Sequence, residues 1–150
     1  MNLRSSLRPL FACAVLMTCP AMAADPLAGY PSFRPGLWEM TRSPMDAPPG
    51  AKKFVTRECT NPTTTLARQS AELAVLGCKT QEPKHSGKTY TFGMVCDIPK
   101  TGKTTSKSLL LRESDSAYTV TIHTEGETNG KPVNATDVIS MRRVGDCPKK

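Results

Sequence analysis

The sequence predicts a mainly β domain: an antiparallel meander of about seven strands, curled into an open sheet or half-barrel, with one α-helix and two disulfides. Three observations carry this. Short stretches of alternating apolar and polar residues are separated by Gly, Pro and Asn turn signals. Only the segment 62–76 places apolar residues at helical spacing. Four cysteines remain once an N-terminal leader is set aside, an even number that suits a disulfide framework in a small exported domain.

Residues 1–23 read as a cleaved secretory signal. Arg4 and Arg8 make a positive start, Leu10 to Thr18 carries no charge, and Ala21-Met22-Ala23 places small residues at −3 and −1 of the cut. The apolar run is about half of the ~20 residues that span a bilayer, so no transmembrane anchor is expected. Cys13 and Cys19 are poor matches to a lipid-attachment box, and lipidation is not expected. Residues 24–150 then form a single exported domain, near the usual size of ~100–150 residues. Removing Arg4 and Arg8 leaves 18 Lys+Arg against 13 Asp+Glu, a net charge of +5.

The leader gives way to an extended stretch with Pro26, Pro31 and Pro35. From Gly36 to Arg42 the chain alternates, Trp38 and Met40 on one side and Glu39 and Thr41 on the other, which is a strand. Pro44, Pro48, Pro49 and Gly50 mark a loop. Lys52 to Cys59 is a second strand with Val55, Arg57 and Cys59 on one face. Next comes the helix: Asn61 as its cap, Pro62 in the first turn where a missing N–H costs nothing, and Gly77 just past the end.

The remainder is a meander whose register follows from its turns. A two-residue turn at Asn129-Gly130 sets Tyr118 opposite Met141 and Val120 opposite Ile139. A turn at Ser114-Asp115 sets Leu111 opposite Tyr118 and Leu109 opposite Val120. A third near Thr101-Gly102 sets Phe92 opposite Leu111 and Met94 opposite Leu109. The expected core face therefore carries two rows: Phe92, Leu111, Tyr118, Met141 and Met94, Leu109, Val120, Ile139.

Cys59, Cys78, Cys96 and Cys147 are separated by 18, 17 and 50 residues, with no Cys-x-x-Cys pair for a zinc knuckle or a redox motif. Cys78 and Cys96 are equidistant from Gly87 in a hairpin turn, so they should bridge, leaving Cys59 to pair with Cys147.

No catalytic residue, cofactor or metal site is expected, and the chain does not read as an enzyme. His85 lies in a turn, and His123 shares an outward strand face with Glu125. No nucleophile elbow, P-loop or zinc-protease motif occurs. Asp137 falls opposite Ile122 on the apolar face, where a carboxylate is costly; a β-bulge is expected to turn it outward. Asp137, Arg142 and Arg143 are the candidate ligand residues, the two arginines as an anion-holding pair. The basic surface suits anionic envelope components, but its lysines are too dispersed for nucleic acid.

Phe33-Arg34-Pro35-Gly36-Leu37-Trp38-Glu39 near the start and Arg142-Arg143-Val144-Gly145-Asp146-Cys147-Pro148 at the close, with the interior cysteines, resemble the exported bacterial family called domain of unknown function 3617. The resemblance implies a small disulfide-bearing protein of a Gram-negative periplasm and no activity. The expected role is a non-catalytic binding or carrier module for a small hydrophobic, acyl or anionic ligand. The alternative is an envelope interaction protein that engages an anionic partner through its basic surface.

Overall fold

The computed structural model describes residues 27–45, 48 and 50–149; the expected signal at 1–23, with Cys13 and Cys19, lies outside the described residues. The chain runs β1 (Gly36–Pro44), β2 (Phe54–Thr60), α1 (Pro62–Val75), β3 (Cys78–Thr80), β4 (Lys84–Ser86), β5 (Thr89–Ile98), β6 (Gly102–Arg112), β7 (Ala117–Thr128) and β8 (Lys131–Gly145). These strands form one antiparallel sheet in the order β2-β1-β8-β7-β6-β5-β3, with β4 also paired to β5. The fold is mainly β with one helix, in eight strands rather than about seven.

Local chemistry sets the ends of α1. The Asn61 side chain accepts from the Thr63 N–H at 3.2 Å, and Pro62 occupies the first helical position. Gly77, with φ of 93°, ends the helix in a conformation that disfavours any residue with a Cβ. The helix also links the two edges of the sheet, leaving β2 and entering β3. Its 14 residues are about 21 Å long. The six inter-strand steps between those edges add up to about 29 Å, and the path is diagonal because β3 starts against Cys96, near the far end of β5. A flat sheet would hold its edges too far apart, so the sheet curls and α1 crosses the concave face.

One end of that concave face is closed by the segment before β1. Phe33 stacks on Tyr118 at 4.4 Å and meets Trp38 edge-on at 5.9 Å. Trp38 Nε1 donates to the Arg34 carbonyl at 3.0 Å, and the Phe33 N–H donates to Thr63 Oγ1 at 2.9 Å, tying this segment to α1. Leu110 and Val120 complete the buried cluster. A Cβ on Gly36 would lie 2.6 Å from the Gly145 carbonyl oxygen and would collide with the Arg143 side chain, so only glycine fits there. The opening and closing segments of the domain thus meet at a single crossing.

The turn at Asn129-Gly130 forms as expected, and Tyr118 faces Met141 and Val120 faces Ile139. The register of β6 is corrected. Leu110, not Leu109, pairs with Val120, and Arg112 pairs with Tyr118. The connection is a longer loop than the expected Ser114-Asp115 turn: the N–H groups of Glu113 and Ser114 both donate to the Ala117 carbonyl, and Ser114 Oγ accepts from the Ser116 N–H. That doubled donation adds one residue and inverts the strand. On the other side, the turn is Pro99-Lys100-Thr101, with Ile98 opposite Gly102 and Lys100 at φ 67°, so Phe92 pairs with Ser108 and Met94 with Ser106. Both displacements are odd and both act on β6, so β5, β7 and β8 keep their expected faces. Leu110 is fully buried, whereas Leu109 and Leu111 are 49% and 48% exposed on the convex face.

Cys78 and Cys96 pair directly across β3 and β5 and are bridged, as expected. The second expected bridge is absent: Cys59 and Cys147 are exposed free thiols. They are nonetheless neighbours. Leu37 of β1 has Cys59 on one flank and Gly145 on the other, and the tail beyond Gly145 returns past β1 to β2. The sulfurs meet through a hydrogen bond, the main cause of a raised Cys59 pKa.

Two outcomes follow from this arrangement. Leu110→Ala should cost about 2–5 kcal/mol in urea unfolding, while Leu109→Ala and Leu111→Ala should each cost under about 1 kcal/mol; equal losses at all three would contradict the register. Treating the protein with oxidised glutathione should join Cys59 to Cys147, raising stability by up to ~4 kcal/mol for a loop of this length. Non-reduced peptide mapping checks the pairing, and a Cys59–Cys78 peptide would contradict it.

Candidate functional site

The curl and the inversion of β6 together leave a cavity of about 380 Å³ between α1 and the concave face. Its floor is built by alternation: Trp38 and Met40 of β1, Ile139 and Met141 of β8, Val120 and Ile122 of β7, and Phe92 and Met94 of β5. Strand β6 contributes Ser106, Ser108 and Leu110. Had the expected Leu109 and Leu111 pointed inward, they would have occupied the volume that the two serines leave open. Leu66 and Leu73 of α1 form the roof, and exposed residues including Glu58, Gln69 and Gln81 stand at the rim.

Three hydroxyl pairs satisfy part of the cavity's polar lining. Ser106 Oγ and Thr124 Oγ1 lie 2.9 Å apart, and Thr60 Oγ1 and Thr65 Oγ1 lie 2.8 Å apart. The Tyr30 hydroxyl donates to Ser70 Oγ on the helix at 3.0 Å. Tyr118 is buried, and loss of water around its phenol pushes the pKa up to about 12. At neutral pH it is an uncharged wall of the cavity.

The candidate ligand residues do not gather. Asp137 faces Ile122 as expected, but β8 runs through it without the expected bulge. The carboxylate stays on the concave side and is satisfied by Arg42, whose Nε and Nη2 reach its two oxygens at 3.1 and 2.6 Å. Contact with Asp137 raises the Arg42 pKa, first through these hydrogen bonds. Arg142 and Arg143 are neighbours in a strand and point to opposite faces, so they do not form an anion-holding pair. Arg142 is exposed; Arg143 donates to the Pro35 carbonyl at 2.9 Å and pairs with Asp146, a structural role.

The two histidines lie elsewhere. His85 is exposed and stacks on Tyr90 at 5.5 Å. His123 Nδ1 meets Thr136 Oγ1 at 3.0 Å, and its Nε2 lies 4.0 Å from Glu125, both side chains about half exposed. No group of three His, Cys, Asp or Glu side chains with metal-binding geometry occurs among the described residues. Among them, too, no helix is long and apolar enough to cross a membrane.

Sequence reasoning missed the cavity because it filled the concave face with leucines. The available signal was Ser106-Lys107-Ser108, which alternates small and charged residues just before the three leucines.

The architecture defines an open antiparallel half-barrel roofed by one edge-to-edge helix, with an apolar cavity beneath it. The chain belongs to the family described as "Protein of unknown function (DUF3617)", whose match covers residues 33–147, from the stacked Phe33 to the thiol of the closing segment. No curated protein and no solved structure matches it.

Tyr118 supplies a pH test. In an unfolded chain its phenol ionises near 10, and in the folded protein near 12. The folded state therefore holds its proton longer, and this contribution to stability, complete below pH 10, is lost as the pH rises through 12. Alkaline titration followed by phenolate absorbance should show a late-ionising tyrosine that Tyr118→Phe removes. Ionisation complete by pH 10.5 in the folded protein would contradict the burial.

Proposed function

We propose that this protein is a non-catalytic binding or carrier module of the periplasm, exported by its cleaved N-terminal signal, and that it holds a small apolar ligand between α1 and the sheet. The observation that carries this reading is the cavity. Its volume of about 380 Å³ falls in the ~300–1,000 Å³ range of small-molecule sites, and its walls are mainly apolar with hydroxyl and amide groups among them, as suits such sites. A domain that needed only stability would gain from filling this space, since each missing methylene costs about 1 kcal/mol. His85, His123 and Glu125 stand outside the cavity lining, which favours binding over acid–base chemistry.

A second reading is an envelope interaction protein. It draws on edge strand β2, where exposed Phe54 and Val55 follow Lys52 and Lys53.

Native mass spectrometry of protein purified from periplasmic extract should show a retained small molecule. Ser108→Phe should fill the cavity and abolish that retention while leaving the far-ultraviolet circular dichroism unchanged. A wild-type protein with no adduct that instead crosslinks to an envelope protein or glycan would favour the second reading.

A further inference from the structure

The chain carries 20 Lys and Arg residues and a net charge of +7, yet none of them lines the cavity. Three arginines stand at concave positions of the sheet, Arg42, Arg112 and Arg143, and each is already engaged: Arg112 lies over the Phe33 ring and donates to the Ser32 carbonyl. Arg42 is held by Asp137, and Arg143 by Asp146. The one fully charged side chain in the cavity lining is Glu58. It lies on edge strand β2 directly opposite Trp38, which forms part of the cavity wall. Side chains facing one another in this way are about 5 Å apart at Cβ. Among the described residues Glu58 makes no ion pair, and it is exposed, so it is free to meet a ligand at the rim.

Resting on the binding reading above, we propose that the cavity takes a single-chain amphiphile with a cationic head, the chain lying beneath α1 and the head at Glu58. At roughly 30 Å³ for each methylene-sized unit, about the share of one water in the liquid, the cavity admits a chain on the order of ten carbons. A neutral head is second best, because Gln69 of α1 offers an amide donor and acceptor in the cavity lining. An anionic head is disfavoured: it meets Glu58 and finds no free cation in the lining. The lysines on the outer surface do not reverse this order, since at 0.1 M salt their field is screened beyond about 10 Å. The basic exterior and the acidic rim are therefore separate features, and an acyl carboxylate does not fit the cavity although it suits the net charge.

Three ten-carbon probes decide the matter: decyltrimethylammonium, decanol and decanoate, titrated at pH 7.5 below their micellar concentrations. Binding is read by calorimetry and by the fluorescence of Trp38, the protein's one tryptophan. The expected order is cation, then alcohol, then anion, with decanoate at least ten-fold weaker than decyltrimethylammonium. Glu58→Gln should bring the cation down to the affinity of the alcohol, and Glu58→Lys should make decanoate the better ligand. Decanoate binding as tightly as the cation to the wild type, or a cation preference that survives Glu58→Gln, would overturn the ligand class and leave the carrier reading in place. If all three probes fail to bind, both are overturned.

Discussion

The structure depends on a single topological constraint: α1 is the only covalent route from one edge of the sheet to the other. A helix cannot stretch. Its length of about 21 Å is shorter than the edge-to-edge arc, so the strands must bend toward it. Each end of the crossing is anchored. At the β3 end the Cys78–Cys96 bridge fastens the chain to β5; at the β2 end Asn61 caps the helix, and Thr63 Oγ1 accepts from the Phe33 N–H. The helix holds an apolar stripe above the sheet at a height set by its anchors as well as by packing. A cavity can persist beneath it for that reason, although close-packed interiors normally leave few voids larger than a water molecule.

Much of this fold was legible because local chemistry and alternation agreed. The helix was bounded by Asn61-Pro62 and Gly77, residues whose backbone preferences leave few alternatives. The Asn129-Gly130 turn fixed the β7–β8 register because both residues accept positive φ, and both adopt it here. The Cys78–Cys96 pairing followed from simple symmetry about a turn. Strand β6 was illegible for a specific reason. Leu109-Leu110-Leu111 is apolar at three consecutive positions, so alternation cannot say which leucine points inward. Only the flanking loops decide, and each differs from a two-residue turn by an odd number of residues. The hydrogen bonds among Ser114, Asp115, Ser116 and Ala117 that shift the first loop depend on side-chain geometry that composition does not encode.

The site was less legible than the fold. Asp137, singled out as a carboxylate on an apolar face, is there, but its partner is Arg42, 95 residues away in the chain. No local pattern links the two. Arg142 and Arg143 read as an anion pair, yet strand geometry separates adjacent side chains, and Arg143 is spent on the crossing with Gly36. Glu58 attracted no notice because an acidic residue on an edge strand is ordinary. Its position opposite Trp38, as the one acidic or basic residue in the lining of a mainly apolar cavity, is what distinguishes it.

The central claim is that the edge-to-edge tether keeps the roof over the concave face, and Trp38 reports on it directly. This residue lines the cavity, is 1% exposed and is the sole tryptophan. Acrylamide quenching of its fluorescence measures how well the roof excludes solvent. In the intact protein quenching should be weak. In the Cys78→Ser/Cys96→Ser variant, which frees the β3 end of the crossing, quenching should rise several-fold while the far-ultraviolet circular dichroism still reports a folded sheet. Equal, weak quenching in both proteins would show that packing alone holds the helix in place, and would contradict the account.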